Sequence, residues 1–267
     1  MVAAAKGNQE IVNVLLKHLG TTVEPFCFQR FSCMKHLAIP PFIRRIGDFS
    51  FYCCSQLATV SVPASVESIG RYAFSKCSSL CEFAIPPSVT DLGRNVFSKC
   101  AKLASVEIPP SVLKIPAGAF EGCSSLSFVS IPASVAEIGE YSFCLCTKLE
   151  KIEIPPSVAV IGQYAFCLCA LLRDVAIPPS VKRIENYTFR GCASLAGVRI
   201  PRSVTEIGKY AFDDCSRLEE VEIPASVTGI GEFAFSGCTS LRQISIPSSV
   251  ANIENLDLSS DTIISRF

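Results

Sequence analysis

Proline recurs at Pro40, Pro63, Pro86, Pro109, Pro132, Pro155, Pro178, Pro201, Pro224 and Pro247, every 23 residues, with no insertion or deletion. A fixed period of this length means that one short structural unit is stacked on copies of itself. Phenylalanine keeps the same step from Phe51 to Phe235, cysteine from Cys54 to Cys238, leucine from Leu57 to Leu241 and serine from Ser65 to Ser249. Several columns in register over nine copies exclude coincidence. The unit reads L-x-x-V-x-I-P-x-S-V-x-x-I-G-x-Y-A-F-x-x-C-x.

Within a unit, Val60 and Val62 alternate with Thr59 and Ser61, the period of two expected of a strand with one buried face. Pro63 has no N–H for a ladder and restricts the residue before it, so it ends the strand at the same place in each copy. Val66, Ile69, Ala73, Phe74, Cys77 and Leu80 then fall at spacings that predict a bend and a short helical turn, apolar side inward. Gly70, Gly93, Gly139, Gly162, Gly208 and Gly231 are expected to give backbone freedom at that bend. One unit cannot bury these side chains alone, so stacking completes each core and both ends need caps.

The pattern I-P-x-S-V-x-x-I-G-x-Y-A-F-x-x-C-x-x-L resembles the leucine-rich repeats, and within them the BspA-like subclass known from bacterial and protist surface proteins. The resemblance covers roughly Lys35 to Glu254. It implies an α/β repeat solenoid, a right-handed horseshoe with a parallel β-sheet on one face and short helical or irregular turns on the other. Where leucine-rich repeats commonly place asparagine after the strand, this chain has Ser65, Ser88, Ser111 and their equivalents, so a hydroxyl must satisfy the backbone there. Individual copies drift: Pro116, Glu185 and Glu254 replace the glycine, and Asn95 and Gly118 replace the tyrosine.

The repeats divide the chain into residues 1–34, 35–254 and 255–267. Ala3 to Gly20 resembles the second half of an ankyrin repeat, with an apolar stripe of Ile11, Leu15 and Leu19 that implies a helical cap on the first coil. Thr21 to Met34 does not show the repeat and carries Phe26, Phe28 and Phe31; it reads as an imperfect first coil. Asn255 to Phe267 reads as a frayed tail or a truncated cap.

Lys plus Arg and Asp plus Glu are equal at 24, so overall charge points to neither nucleic acid nor a membrane. No stretch approaches the ~18 apolar residues of a membrane span. Polar residues interrupt the first twenty positions, which predicts an unsecreted, intracellular chain, or a surface protein if an export signal lies upstream. The fifteen cysteines then read as reduced thiols, and those of the column as small core residues. Cys144, Cys146, Cys167 and Cys169 form two C-L-C pairs on consecutive coils. Four sulfurs suit zinc, but C-x-C side chains diverge, so Cys146 and Cys169 are read as core and Cys144 and Cys167 as near the surface. The two histidines, His18 and His36, lie outside the regular repeats, so a Cys or Ser nucleophile there lacks a base. No enzyme, metal or cofactor is expected.

The informative positions are the outward ones on the strand. They include Glu82, Glu107, Phe128, Lys151, Glu153, Asp174, Arg199, Glu220 and Glu222. Six acids against two bases give this face a net −4 in a chain of zero net charge, and Phe128 is an aromatic anchor. A non-enzymatic interaction module follows, with a basic or mixed-charge protein partner. The resemblance implies a second reading, a surface adhesin; a spacer within a larger repeat protein is a third. Weak caps would also leave an open sheet edge for end-to-end self-association.

Overall fold

The computed structural model describes residues 14–16, 18, 20–251 and 253–267. The expected ankyrin-like helix lies largely outside them. Each coil carries two short strands and a side made of turns. The strands before the prolines form a first row: His36–Ala38, Thr59–Ser61, Glu82–Phe83, Ser105–Glu107, Phe128–Ser130, Asp174–Ala176, Gly197–Arg199, Glu220–Glu222, Gln243–Ile246 and Ile263–Arg266, with Lys151 bridging to Asp174. A second row, which the residue pattern did not predict, runs from Thr22–Val23 and Arg45–Ile46 through Ser68–Ile69 and its equivalents to Gly229–Ile230. All pairing is parallel, and Thr59 sits beside His36 and Glu82 one coil away on either side.

The turn side corrects the expected helical face. Residues 72–77 form consecutive turns: the N–H groups of Ala73, Ser75 and Cys77 close onto the carbonyls of Gly70, Tyr72 and Phe74. The alternate N–H groups, of Tyr72, Phe74 and Lys76, reach the next coil at Arg94, Val96 and Ser98, at 2.7–3.0 Å. A helix would keep every one of those donors inside its own turn and leave the neighbouring coil unbonded. The first and last of these turns have left-handed backbone at their third residue, Tyr72 with φ 54° and Lys76 with φ 62°, while Phe74 between them does not. Asn95 and Gly118, which read as drift, occupy the same left-handed place with the residue types that adopt it at least cost.

The recurring glycines have a different reason from the one expected. Gly70, Gly93, Gly139, Gly162, Gly208 and Gly231 are not left-handed; a Cβ at Gly162 would stand 2.6 Å from the backbone nitrogen of Glu140, one coil back. Close approach lets the glycine N–H donate backwards, as from Gly70 to Ile46 at 2.7 Å and from Gly162 to Ile138 at 2.8 Å. Pro116 lacks that N–H and Glu185 brings a Cβ into the crowded place. The second row is interrupted at those two coils, between Asp91–Leu92 and Lys114–Ile115 and between Val160–Ile161 and Arg183–Ile184.

The core is a set of columns. Phe28, Phe51 and their equivalents to Phe235 stack nearly parallel, with ring centroids 5.2–5.9 Å apart. Each column cysteine is more than a small hydrophobe: Cys77 donates its thiol to the Phe51 carbonyl at 3.2 Å, and Cys146 to that of Phe120, so buried carbonyls are satisfied. Serine does the same under the strand, Ser88 Oγ to the Val66 carbonyl and Ser203 Oγ to that of Val181, both at 2.7 Å. All fifteen cysteines are free.

Thr21 to Met34 is a coil in phase with the rest. Phe28 occupies the phenylalanine column, Phe31 stands in the cysteine column, and Phe26 stacks on Phe49 at 5.0 Å. The other end is not a frayed tail. After a 3-10 turn at Glu254–Leu256, Ile263–Arg266 adds a last parallel strand to Gln243–Ile246, in a coil 20 residues long.

Candidate functional site

Parallel pairing aligns the outward residues of the first strand row across coils 23 residues apart. Glu82, Glu107, Phe128, Lys151, Glu153, Asp174, Arg199, Glu220 and Glu222 are all exposed on this face, as the alternation predicts. Phe128 keeps 54% of its surface in solvent although Val129 beside it is buried. A large exposed aromatic in the middle of a polar face is the kind of residue that anchors a partner.

The charges on this face are mostly unpaired. Lys151 Nζ meets Glu153 Oε1 at 2.8 Å, which lowers the Glu153 pKa and raises that of Lys151 through the hydrogen bond and the opposite charge. That pair is self-neutralising. Among the described residues Glu82, Glu107, Asp174, Glu220, Glu222 and Arg199 form no ion pair, which leaves five acids against one base. Beside the second row, in contrast, Arg44 reaches Glu67 and Arg183 reaches Glu206 across one coil, both at 2.9 Å.

Two grooves shape the face. His36, Thr59, Glu82 and Glu107 border one end, where His36 Nδ1 and Thr59 Oγ1 lie 2.8 Å apart. At the other end Arg199, Arg202, Glu222 and Phe267 line a groove of about 690 Å³. Sequence reading missed Phe267, because only the closing strand, three residues short of the repeat, carries it there. Four of the predicted acids therefore fall into two groups, Glu82 with Glu107 and Glu220 with Glu222, separated by Phe128, the Lys151–Glu153 pair and Asp174.

The cysteine reading is corrected at one place. Cys144 and Cys167, expected near the surface, are 7% and 3% exposed. Cys146 and Cys169 donate instead to the Phe120 and Phe143 carbonyls at 3.2 Å, so the four sulfurs do not converge. No group of three or more His, Cys, Asp or Glu suited to a metal occurs among the described residues.

Two strand rows, nearest-neighbour coils and a continuous stacked core define a leucine-rich-repeat-like parallel β-solenoid. The chain belongs to the BspA type leucine rich repeat region family, whose model matches residues 6–127, 113–219 and 159–265. The match runs through the ankyrin-like segment, and that likeness gains no support. A leucine rich cell surface protein of Faecalibacterium prausnitzii is similar, at 27% identity and a TM-score of 0.55, over 92% of this chain and 83% of that one. A leucine-rich repeat protein of Bacteroides ovatus shares the fold at 24% identity and a TM-score of 0.51, over 92% and 87%. The pneumococcal vaccine antigen PcpA shares it at 17% identity and a TM-score of 0.50, over 87% and 65%. No curated protein matches the chain. No helix among the described residues is long and apolar enough to cross a membrane.

Proposed function

We propose that the chain is a non-enzymatic protein-interaction module whose first strand row binds a basic or mixed-charge protein segment. The observation that carries this reading is the exposure, without ion-pair partners, of Glu82, Glu107, Asp174, Glu220 and Glu222 around Phe128. Unpaired charges on one face favour a partner of opposite sign and steer its approach. The test is affinity capture with the full chain, with a variant carrying Phe128→Ala, Glu153→Lys and Glu222→Lys, and with a second-row control carrying Glu67→Lys and Glu206→Lys. Circular dichroism must first show equal folding. A partner retained by the control and lost by the first-row variant supports the reading; retention by both moves the site to the turn side.

The Faecalibacterium protein's description as a cell surface protein favours a second reading, a surface adhesin. Surface labelling of intact cells making the full-length product tests it, and a wholly protected chain counts against it. We also propose end-to-end self-association, reading the 65% exposure of Ile263 on the strand Ile263–Arg266 as a contact for a second copy. Sedimentation at rising concentration, with Ile264→Lys as control, decides it.

A further inference from the structure

One column of the turn side carries Glu121, Cys144, Cys167, Arg190 and Asp213, a residue from each successive coil. Backbone bonds hold these rungs in register: the Gly122 N–H donates to the Cys144 carbonyl at 2.7 Å and the Leu145 N–H to that of Cys167 at 2.8 Å. The polar members pair away from the cysteines. Glu121 Oε2 accepts from Ser98 and from Asn95, both at 3.3 Å, and Arg190 Nε donates to Asp213 at 2.8 Å. The two thiols are left to each other, one coil step apart. Tyr141 and Tyr164, on the same two coils, stack at 4.5 Å.

From this juxtaposition, the geometry points to a two-sulfur site at Cys144 and Cys167 for a soft, thiophilic monovalent cation, of which Cu(I) is the type. A coil step of about 4.8 Å is near twice a metal–sulfur bond of about 2.3 Å, so one ion fits between parallel side chains. A disulfide would need the two Cβ atoms at about 3.8 Å and turned toward each other. Soft sulfur ligands select Cu(I) among the common ions, and zinc would want two further ligands that the described residues do not offer. Binding releases two protons to solvent and leaves two thiolates on one cation, a net charge of −1, with the Arg190 guanidinium beside Cys167. The column cysteines differ: the Cys146 and Cys169 thiols are committed to the Phe120 and Phe143 carbonyls.

The inference does not depend on the strand face. To test it, the reduced full chain is titrated without oxygen against Cu(I) held by a coloured competing chelator. Uptake of one Cu(I) per chain, with two sulfurs and no nitrogen or oxygen around the metal by X-ray absorption, is the expected result. Cys144→Ser and Cys167→Ser should each abolish that uptake, and Cys81→Ser, at an exposed thiol elsewhere, should leave it intact. The sulfur count around the metal in the unaltered chain is a readout that no misfolded variant can confuse. No uptake, undiminished uptake in both serine variants, or a sulfur count other than two around the metal would overturn the site.

Discussion

The two strand rows are made by one backbone and share one core, yet they treat charge and space in opposite ways. At the bend that closes the second row the coils come so close that glycine is required at Gly70 or Gly162, and charges along the row such as Arg183 and Glu206 are consumed by one another. On the first row Gly197 has nothing nearer to an added Cβ than Asp174 Oδ1 at 3.9 Å, and Glu220 and Glu222 stand unpaired. The second row is a seam that closes the solenoid; the first is a surface with charge left over. What distinguishes them is the bend that follows the second row, where the glycine lies against the backbone of the coil behind; inside that row's last strand Gly229 is as open as Gly197, with Glu206 Cγ at 3.7 Å from an added Cβ.

The largest perturbation should erase the distinction by removing what lies under both rows. Phe143→Ala opens a hole in the middle of the phenylalanine stack and should cost about 3–5 kcal/mol, read as a lowered denaturant midpoint. Both rows should lose protection from hydrogen exchange together around that coil. If only one does, the rows are not one cooperative unit.

Alkaline pH attacks the same core through its thiols. Burial pushes Cys123 and Cys238 up to about 12 from an ordinary 9.0, so folding holds the neutral form. A raised pKa contributes stability that is fully present below the unfolded value and is lost as pH rises through the folded one. Unfolding should therefore become easier from pH 9 towards 12, by about 1.4 kcal/mol per pH unit for each such thiol. Denaturant midpoints measured across that range check it; a Cys123→Ala chain should show a shallower slope.

A matched pair of glycine substitutions sharpens the contrast directly. Gly162→Ala puts a methyl 2.6 Å from backbone and should cost about 1–3 kcal/mol. Gly197→Ala meets open space and should change stability by less than about 0.5 kcal/mol. Equal effects would mean that the rows are packed alike.

The smallest contrast is electrostatic. Glu206→Gln removes an exposed inter-coil pair and should cost at most about 1 kcal/mol, less in high salt. Glu222→Gln removes a charge that has no partner and should leave stability unchanged. A larger loss at Glu222 would show that the first row is structural too.

Much of the first row was legible before any coordinates. Period and alternation put Glu82, Glu107, Phe128, Glu153 and Glu222 on one exposed face, because strand geometry is a local property read from spacing alone. The second row was hidden because two-residue strands such as Ser68–Ile69 are too short to show alternation. The first coil was legible only as an imperfect one because Phe31 stands in the cysteine column, so its residues did not match by type although they matched by position.

The turn side shows where local reading fails. Tyr72, Tyr141 and Lys76 disfavour left-handed backbone, and no propensity would place them there. They adopt it because alternate N–H groups then reach the next coil and the tyrosine rings stack at 4.4–4.9 Å from Tyr141 to Tyr210. The sequence by itself determined the repeat length, the inward columns and the identity of the exposed strand residues, since each follows from spacing within one unit. Only the tertiary structure decided that the bend is made of turns, that the glycines serve close approach, and that Phe267 joins Arg199 and Glu222 around one groove. Those outcomes depend on contacts between coils 23 residues apart, and such contacts exist only once the coils are stacked.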